Sequence, residues 1–187
     1  DFNKPRGPIV TADGVVAAES VVSTDGKFDF QRTYPTGDLF ANVTGYYSYA
    51  YGATQLEKTQ NDVLSGNTVQ QQLGGITGIF DGENDNTGSV VLTMRSDLQQ
   101  LAKDLLGGRE GSIVAVDPRT GAILAMYSTP VFDPNEIAVH DTKRAGDVIT
   151  FYDASAGKPL LANAYQERYM PGSTFKIVTM AAAIAEG

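Results

Sequence analysis

Two residues three positions apart carry the clearest chemical signal in this sequence. Ser173 and Lys176 lie in the stretch YMPGSTFK, and a serine with a lysine at this spacing can act as a nucleophile with its general base. The pattern S-x-x-K is short enough to occur by chance, and the chain holds a second copy at Ser155 and Lys158. That copy serves as an internal control, because the Gly-Lys-Pro sequence within it disfavours a helix.

The residues after Ser173 predict a helix that brings the pair together. The run STFKIVTMAAAIAEG has strong helix formers and no breaker before Gly187. Residues three apart share a helix face, and the unpaired N–H groups of the first turn would stabilise an oxyanion. The neighbours of Lys176 are apolar, which predicts a buried helix and a lysine pKa lowered by burial. A serine N-cap followed by a solvated lysine would give the same local pattern without catalysis.

The composition argues against several classes of function. The 187 residues carry a net charge of −8 and a pI near 4.5 without a cluster of Lys and Arg, so binding to nucleic acid is not expected. The absence of cysteine excludes disulfides, thiol catalysis and thiolate metal sites. No apolar run reaches membrane-spanning length, and we expect any signal or anchor helix to lie outside this sequence, which begins at Asp1.

The first half of the chain predicts a small non-catalytic domain. Asp13-Gly14 between β-branched residues predicts a hairpin. Further along, we expect irregular aromatic-packed structure at 30–52, a short amphipathic helix at 55–66 and a polar, Gly-rich hinge at 70–88. The domain boundaries that follow are 1–85 for the N-terminal domain and 86–187 for the second unit.

The second unit predicts mixed helix and sheet, which makes the whole chain α+β. SVVLTM reads as a strand, and SIVAVDPRTGAILAMYS reads as a hairpin with a turn at its centre. SDLQQLAKDLLGG predicts a helix that has Ser96 and Gln99 as a capping box and ends at Gly107. Its apolar face would comprise Leu98, Leu101, Ala102 and Leu105. Loops and short helices are expected over 128–170.

Two other candidate sites are weak. The stretch DGENDN at 81–86 has oxygen ligands but lacks the glycine and distal glutamate of a calcium loop, so a solvated hinge is the better interpretation. His140 is the only histidine, which rules out a metal site built on several histidines. A Ser-His-Asp role for His140 has no supporting spacing. We therefore expect neither a metal nor a cofactor.

Several stretches, in order, resemble the class B penicillin-binding proteins. YMPGSTFK followed by an Ala-rich helix is similar to their S-x-x-K motif. RGPIVTADGVVAAES resembles their N-terminal box, while VVLTMRSDLQQLA, GSIVAVDPRTGAILAMYSTPVFDPN and KPLLANAYQERYMPGSTFK resemble the opening of their transpeptidase domain. RTYPTGDLFANVTGYYS and NDVLSG are most similar to the actinobacterial penicillin-binding protein A type. The resemblance implies a pedestal-like N-terminal domain and the first part of a transpeptidase domain.

The resemblance also implies an activity. Ser173 would be the acyl-enzyme nucleophile and Lys176 would take its proton, with D-Ala-D-Ala stem peptides of peptidoglycan as substrates and β-lactams as acylating mimics. It further implies partners in cell division or cell-wall synthesis and an anchor in the bacterial membrane that holds the enzyme on its extracytoplasmic side. A class D-like serine β-lactamase and a non-enzymatic β-lactam sensor or divisome scaffold remain alternatives.

The sequence departs from the family pattern at three places. Arg95 stands where the family usually has Asp, and Ala162-Asn163-Ala164 stands where it usually has Asn-Arg-Ala. The family's S-x-N and K-T-G elements are expected beyond Gly187, in the remaining part of the same domain. We therefore expect this chain by itself to be inactive.

Overall fold

The computed structural model describes residues 2–68 and 87–187, and the fold is α+β as predicted. The described strands are β1 (Ile9–Val10), β2 (Val16–Val22), β3 (Phe30–Thr33), β4 (Tyr47–Ser48), β5 (Gly52–Ala53), β6 (Val90–Val91), β7 (Gly111–Val116) and β8 (Ile123–Thr129). The α-helices of the described residues are α1 (Ala41–Thr44), α2 (Gln55–Thr59), α3 (Asn61–Leu64), α4 (Ser96–Leu106), α5 (Pro134–Ile137), α6 (Thr142–Ala154), α7 (Asn163–Gln166) and α8 (Lys176–Glu186). Two 3-10 helices cover Gly37–Phe40 and Gly172–Phe175. Among the described residues, no helix is both long enough and apolar enough to cross a membrane.

A four-stranded sheet joins the two halves of the chain. Its strand order is β3-β2-β1-β6, and the predicted hairpin between β1 and β2 is confirmed, with Gly14 in the left-handed region at a φ of +82°. β6 runs parallel to β1, with Ile9 opposite Val90. The strand predicted at 89–94 is therefore present in shortened form and completes a sheet of the N-terminal unit.

The hydrophobic core also includes residues from both halves. Ile9 and Leu64, both fully buried, pack in one cluster with Leu92, Met94 and Ala138. Because burial of apolar side chains is the main source of stability, this cluster makes the two halves depend on each other. The hinge predicted at 70–88 falls outside the described residues except for its last two positions.

A buried ionic cluster holds the start of the chain against α2. Both oxygens of the Glu57 carboxylate are used: Arg6 Nε donates to Oε2 at 2.6 Å and Arg32 Nε donates to Oε1 at 2.7 Å. The Tyr34 hydroxyl donates to Glu57 Oε1 at 3.2 Å. Burial, with the nearby Glu57 charge as the second cause, raises the pKa of Tyr34 well above its ordinary value. The phenol is thus held neutral.

The stretch predicted as irregular at 30–52 is more regular than expected. It contains β3, the first 3-10 helix, α1 and the small β4-β5 hairpin, and short elements of this kind leave little periodicity in a sequence. The helix predicted at 55–66 is split into α2 and α3 at Gln60. Over 128–170 the expected short elements are present. However, α6 is longer, with 13 residues, and Asp141 caps its first turn.

The hairpin predicted at 112–128 is confirmed as β7 and β8, with Gly111 opposite Thr129. Helix α4 packs on β8 and ends at Gly107, whose φ of +57° is the left-handed C-cap that the sequence predicted. The same helix contradicts two other expectations. Ser96 and Gln99 do not form a capping box, since Arg95 is the N-cap and its side chain makes no capping hydrogen bond.

The buried face of α4 also differs from the predicted one. Gln99, Ala102 and Leu106 face inward, whereas Leu101 and Leu105 are exposed. The reason is that Gln99 finds backbone partners inside the fold: its Nε2 donates to the carbonyls of Leu39 and Met126, each at 2.8 Å. In return, the Met126 N–H donates to Gln99 Oε1 at 2.8 Å. A buried amide with all these bonds is accommodated without penalty.

Candidate active site

Ser173 and Lys176 lie at the start of one continuous helical run. Ser173 is the second residue of the 3-10 helix Gly172–Phe175, which leads directly into α8 at Lys176. The Lys176 N–H donates to the Ser173 carbonyl, and this i to i+3 bond places the two side chains one above the other. The predicted helix start is therefore confirmed in position, with a 3-10 turn in place of the first α-helical turn. Among the described residues, no hydrogen bond joins Ser173 Oγ to Lys176 Nζ.

The first turn is built by local contacts. The Thr174 N–H donates to the Pro171 carbonyl at 3.0 Å, and the Thr174 hydroxyl donates to the same oxygen. Gly172 has a φ of +51°, which suits glycine and turns the chain into the helix. The first N–H groups of a helical run have no carbonyl one turn back to donate to, so the Ser173 N–H lies where a neighbouring oxyanion would be stabilised.

The control pair Ser155 and Lys158 does not share a helix. Ser155 is the C-cap of α6 in an extended conformation, and its hydroxyl donates back to the Phe151 carbonyl at 2.7 Å. Lys158 has a φ of +49°, outside helical geometry, as the Gly-Lys-Pro sequence predicted. The two S-x-x-K matches therefore differ in backbone conformation, and only Ser173 has a helix to align it with its lysine.

The predicted burial of α8 is wrong for the described chain. All of its residues are exposed, including the apolar ones, such as Ile177 and Ile184 at 74% each. The prediction came from local composition, whereas burial depends on which other elements cover the helix, and the described residues do not cover it. The burial that was predicted around Lys176 is therefore not supplied by these residues.

The segment before Ser173 is held at α7. The Ala164 N–H donates to the hydroxyl of the fully buried Ser128 at 3.2 Å, and Ser128 also bonds the Ser112 hydroxyl at 2.9 Å. The Ala162 N–H donates to the Gln166 side chain at 2.8 Å. The departure from the family pattern at 162–164 thus lies in a helix that contacts β7 and β8. Sequence reasoning did not identify Ser128 or Tyr165 as part of this approach.

Arg95, the other departure within the chain, forms a local pair. Its guanidinium donates to the Asp97 carboxylate at 2.7 and 3.0 Å, and this hydrogen-bonded pair raises the pKa of Arg95 and lowers that of Asp97. Both side chains are largely exposed, so this pair contributes little to stability.

His140 lies in a loop, as the sequence predicted, but its side chain is buried. It is 3% exposed, its ring contacts Phe2 and Phe28, and Nδ1 lies 2.6 Å from Asp25 Oδ2. No serine hydroxyl hydrogen-bonds its ring among the described residues, so no Ser-His-Asp triad is formed there. Among residues 2–68 and 87–187, no cluster of His, Asp or Glu could hold a metal ion. DGENDN lies outside the described residues.

A cavity of about 590 Å³ opens between α2, the strand β8 and helix α7. Its lining is mostly apolar and includes Leu56, Leu92, Met126 and Tyr165, but neither Ser173 nor Lys176. It is therefore separate from the Ser173–Lys176 pair and lies at the contact between the two halves of the chain.

Two family models match this chain. The model described as the penicillin binding protein A dimerisation domain matches residues 6–90, and that of the penicillin binding protein transpeptidase domain matches residues 111–187. Curated relatives named peptidoglycan D,D-transpeptidase PbpA, from Mycolicibacterium smegmatis and Mycobacterium tuberculosis, are 40% and 37% identical over the whole chain. The chain spans 39% of the length of each.

The solved structures agree with these matches. Penicillin-binding protein A from M. tuberculosis, as an imipenem acyl-enzyme complex, superposes with a TM-score of 0.91 at 36% identity, covering all of this chain and 43% of that one. PBP2 of Pseudomonas aeruginosa in complex with WCK 5153 superposes with a TM-score of 0.77 at 26% identity, again over the whole chain and 41% of the other.

The chain therefore belongs to the penicillin-binding proteins, as an N-terminal dimerisation domain followed by the start of a transpeptidase domain. Within that family it resembles the penicillin-binding protein A type along its whole length, as the sequence motifs predicted.

Proposed function

We propose that the full-length protein is a peptidoglycan D,D-transpeptidase with Ser173 as nucleophile and Lys176 as general base. The observation that carries this proposal is the alignment of the two residues on one helical turn, inside the region that matches the transpeptidase domain. Relatives named D,D-transpeptidase and β-lactam acyl-enzyme structures of M. tuberculosis penicillin-binding protein A support it.

The reaction proceeds in two acyl transfers. Ser173 Oγ attacks the carbonyl carbon of the penultimate D-Ala of a stem peptide while Lys176 takes the hydroxyl proton. The Ser173 N–H helps to stabilise the oxyanion, and the terminal D-Ala leaves as its amine after regaining a proton. The amine of a neighbouring stem then attacks the ester, which forms the cross-link and releases Ser173. A β-lactam acylates the same oxygen, and its opened ring stays attached.

The proposed activity also bears on where the protein works and on the roles of its two domains. Peptidoglycan substrates require the enzyme to work on the extracytoplasmic side of the bacterial membrane, held by an N-terminal anchor. Residues 1–85 form a non-catalytic domain and residues 86–187 the first part of the catalytic one. Partners in cell division or cell-wall synthesis would dock on the non-catalytic domain.

A peptide assay separates this activity from the alternatives. The full-length protein is incubated with a stem peptide that ends in D-Ala-D-Ala and with an acceptor amine, and D-Ala release and the cross-linked product are measured. We expect both from the wild type and neither from Ser173→Ala. Rapid penicillin hydrolysis without peptide transfer would identify a β-lactamase, and stoichiometric acylation without D-Ala release would identify a sensor.

A further inference from the structure

The helix that precedes the nucleophile is tied to the N-terminal domain by one side chain. The Tyr165 hydroxyl, on α7, donates to the carbonyl of Asn42 on α1 at 3.1 Å. These residues are 123 positions apart in the sequence. The bond is partly buried, and burial raises the pKa of Tyr165, so its hydroxyl keeps its proton and remains a donor.

The acceptor side of this contact is fixed by the N-terminal domain. Asn42 is 4% exposed within α1, so its carbonyl has little freedom to move. Gln55 lies near Tyr165 in the wall of the same cavity. Gln55 has a φ of +41°, a strained conformation for a residue with a side chain, and such strain persists only where the surroundings hold it.

The same part of the domain is closely packed around this strained residue. A Cβ at Gly45 would lie 2.5 Å from the Thr54 carbonyl and 2.7 Å from Gln55 Oε1, so only glycine fits there. Gln55 and Tyr165 also line the cavity between the two halves of the chain. The domain therefore presents a rigid acceptor to Tyr165.

The chain between α7 and the nucleophile has few contacts of its own. Residues 167–172 are all exposed in the described structure, and their hydrogen bonds there are local, such as that from the Arg168 N–H to the Glu167 side chain. Helix α7 is the nearest α-helix before Ser173, and it packs on β7 and β8. Ser128 holds α7 on the side of the hairpin, and Tyr165 holds it on the side of the N-terminal domain.

We propose that Tyr165 is a positioning residue for acylation, through which the N-terminal domain fixes the approach to Ser173. This inference rests on the proposed transpeptidase function. It gives the non-catalytic domain a role in the reaction that is separate from docking partners, because its backbone supplies the fixed point for the catalytic segment. Loss of the hydroxyl lets α7 sample displaced positions, so Ser173 spends less time aligned with a bound substrate.

The test uses the full-length protein and the variant Tyr165→Phe, which removes only the hydroxyl. Acylation by a fluorescent penicillin is followed by stopped flow, which separates the first-order acylation rate from the dissociation constant of the complex that precedes it. We expect the rate to fall by about 3- to 10-fold, the effect of losing one hydrogen bond, with the dissociation constant unchanged. Tyr169→Phe is the matched control and should behave as wild type, since Tyr169 is also exposed but its hydroxyl makes no hydrogen bond among the described residues.

Hydrogen exchange provides a second measurement that does not depend on acylation. In Tyr165→Phe the amides of residues 163–166 should exchange about 3- to 10-fold faster than in the wild type. A wild-type acylation rate in Tyr165→Phe would overturn the positioning role, whatever the exchange data show. If the wild type itself were not acylated at Ser173, the proposed function would be wrong. Unchanged hydrogen exchange in Tyr165→Phe would show separately that the bond to Asn42 does not hold α7.

Discussion

The carboxylate of Asp13 caps helix α4 from the far side of the sequence. The Ser96 N–H donates to both oxygens of Asp13, at 3.0 and 3.1 Å, and the Ser96 hydroxyl donates to Oδ2 at 2.5 Å. Asp13 lies in the predicted hairpin turn of the N-terminal domain, and its carboxylate thus accepts a hydrogen bond from the first N–H group of α4. The sequence predicted instead that α4 is capped by its own residues. The hydroxyls of Ser96 and Thr11, then the Ser96 N–H, hold the pKa of Asp13 well below its usual range.

Replacing Asp13 by Ala should therefore destabilise the full-length protein. We expect a loss of about 1 kcal/mol in the free energy of unfolding at neutral pH, as for other lost helix caps, measured by denaturant titration. Asp29→Ala is the matched control, because Asp29 is an exposed carboxylate in the same domain. Equal stability of Asp13→Ala and wild type would contradict the capping role.

The difference between wild type and Asp13→Ala should also depend on pH. Because the pKa of Asp13 is lowered in the folded state, its contribution is complete above the ordinary carboxyl pKa of about 4 and is lost as pH falls through the folded value. The difference in Tm should be constant between about pH 5 and pH 7 and narrow below about pH 4. A difference that grows on acidification would have the wrong sign for this account.

Gln99→Leu tests the buried amide of α4. The substitution keeps the approximate volume but leaves the Met126 N–H and the two carbonyls without their side-chain partner. We expect a loss of about 2 kcal/mol in the free energy of unfolding, measured by thermal or denaturant unfolding. Gln100→Leu, one position along, removes only an exposed bond to Asp104 and should cost under about 0.5 kcal/mol. If both variants were equally stable, Gln99 would not be a structural amide.

Local signals in the sequence were sufficient to predict the positions of turns and helix ends. Gly14 and Gly107 lie in the left-handed region as their contexts required, and the helical run at Ser173 begins within one residue of the predicted start. These features depend on neighbours within a few positions, which the sequence displays directly. The ordered motifs then identified the family, because several matches in the same order are far more specific than one.

Contacts between distant residues could not be predicted in this way. Gln99 bonds residues that are 60 and 27 positions away, and His140 contacts Asp25 across 115 positions. No periodicity links such pairs, so the sequence predicts a capping role for Gln99 and a loop position for His140 without indicating that both side chains are buried. The prediction that α8 is buried was wrong for a related reason, since an apolar helix is buried only when other elements cover it.

Lys176→Ala tests the general base. The side chain is exposed on the described chain and its removal should leave the fold intact, whereas acylation should slow by about 10²- to 10⁴-fold, the usual effect of losing a positioned base. The acylation rate of the full-length protein with penicillin is measured by stopped flow. Lys158→Ala, in the control pair, should acylate at the wild-type rate. A normal rate in Lys176→Ala would assign the proton to another group.

The most direct test of the central claim is the site of the penicillin adduct. The full-length protein is incubated with penicillin G, and intact mass spectrometry with peptide mapping locates the added mass. We expect one adduct on Ser173, its complete loss in Ser173→Ala and its full retention in Ser155→Ala, because only Ser173 shares a helical turn with its lysine. An adduct that survives Ser173→Ala, or that maps to Ser155, would contradict the assignment of Ser173 as the nucleophile.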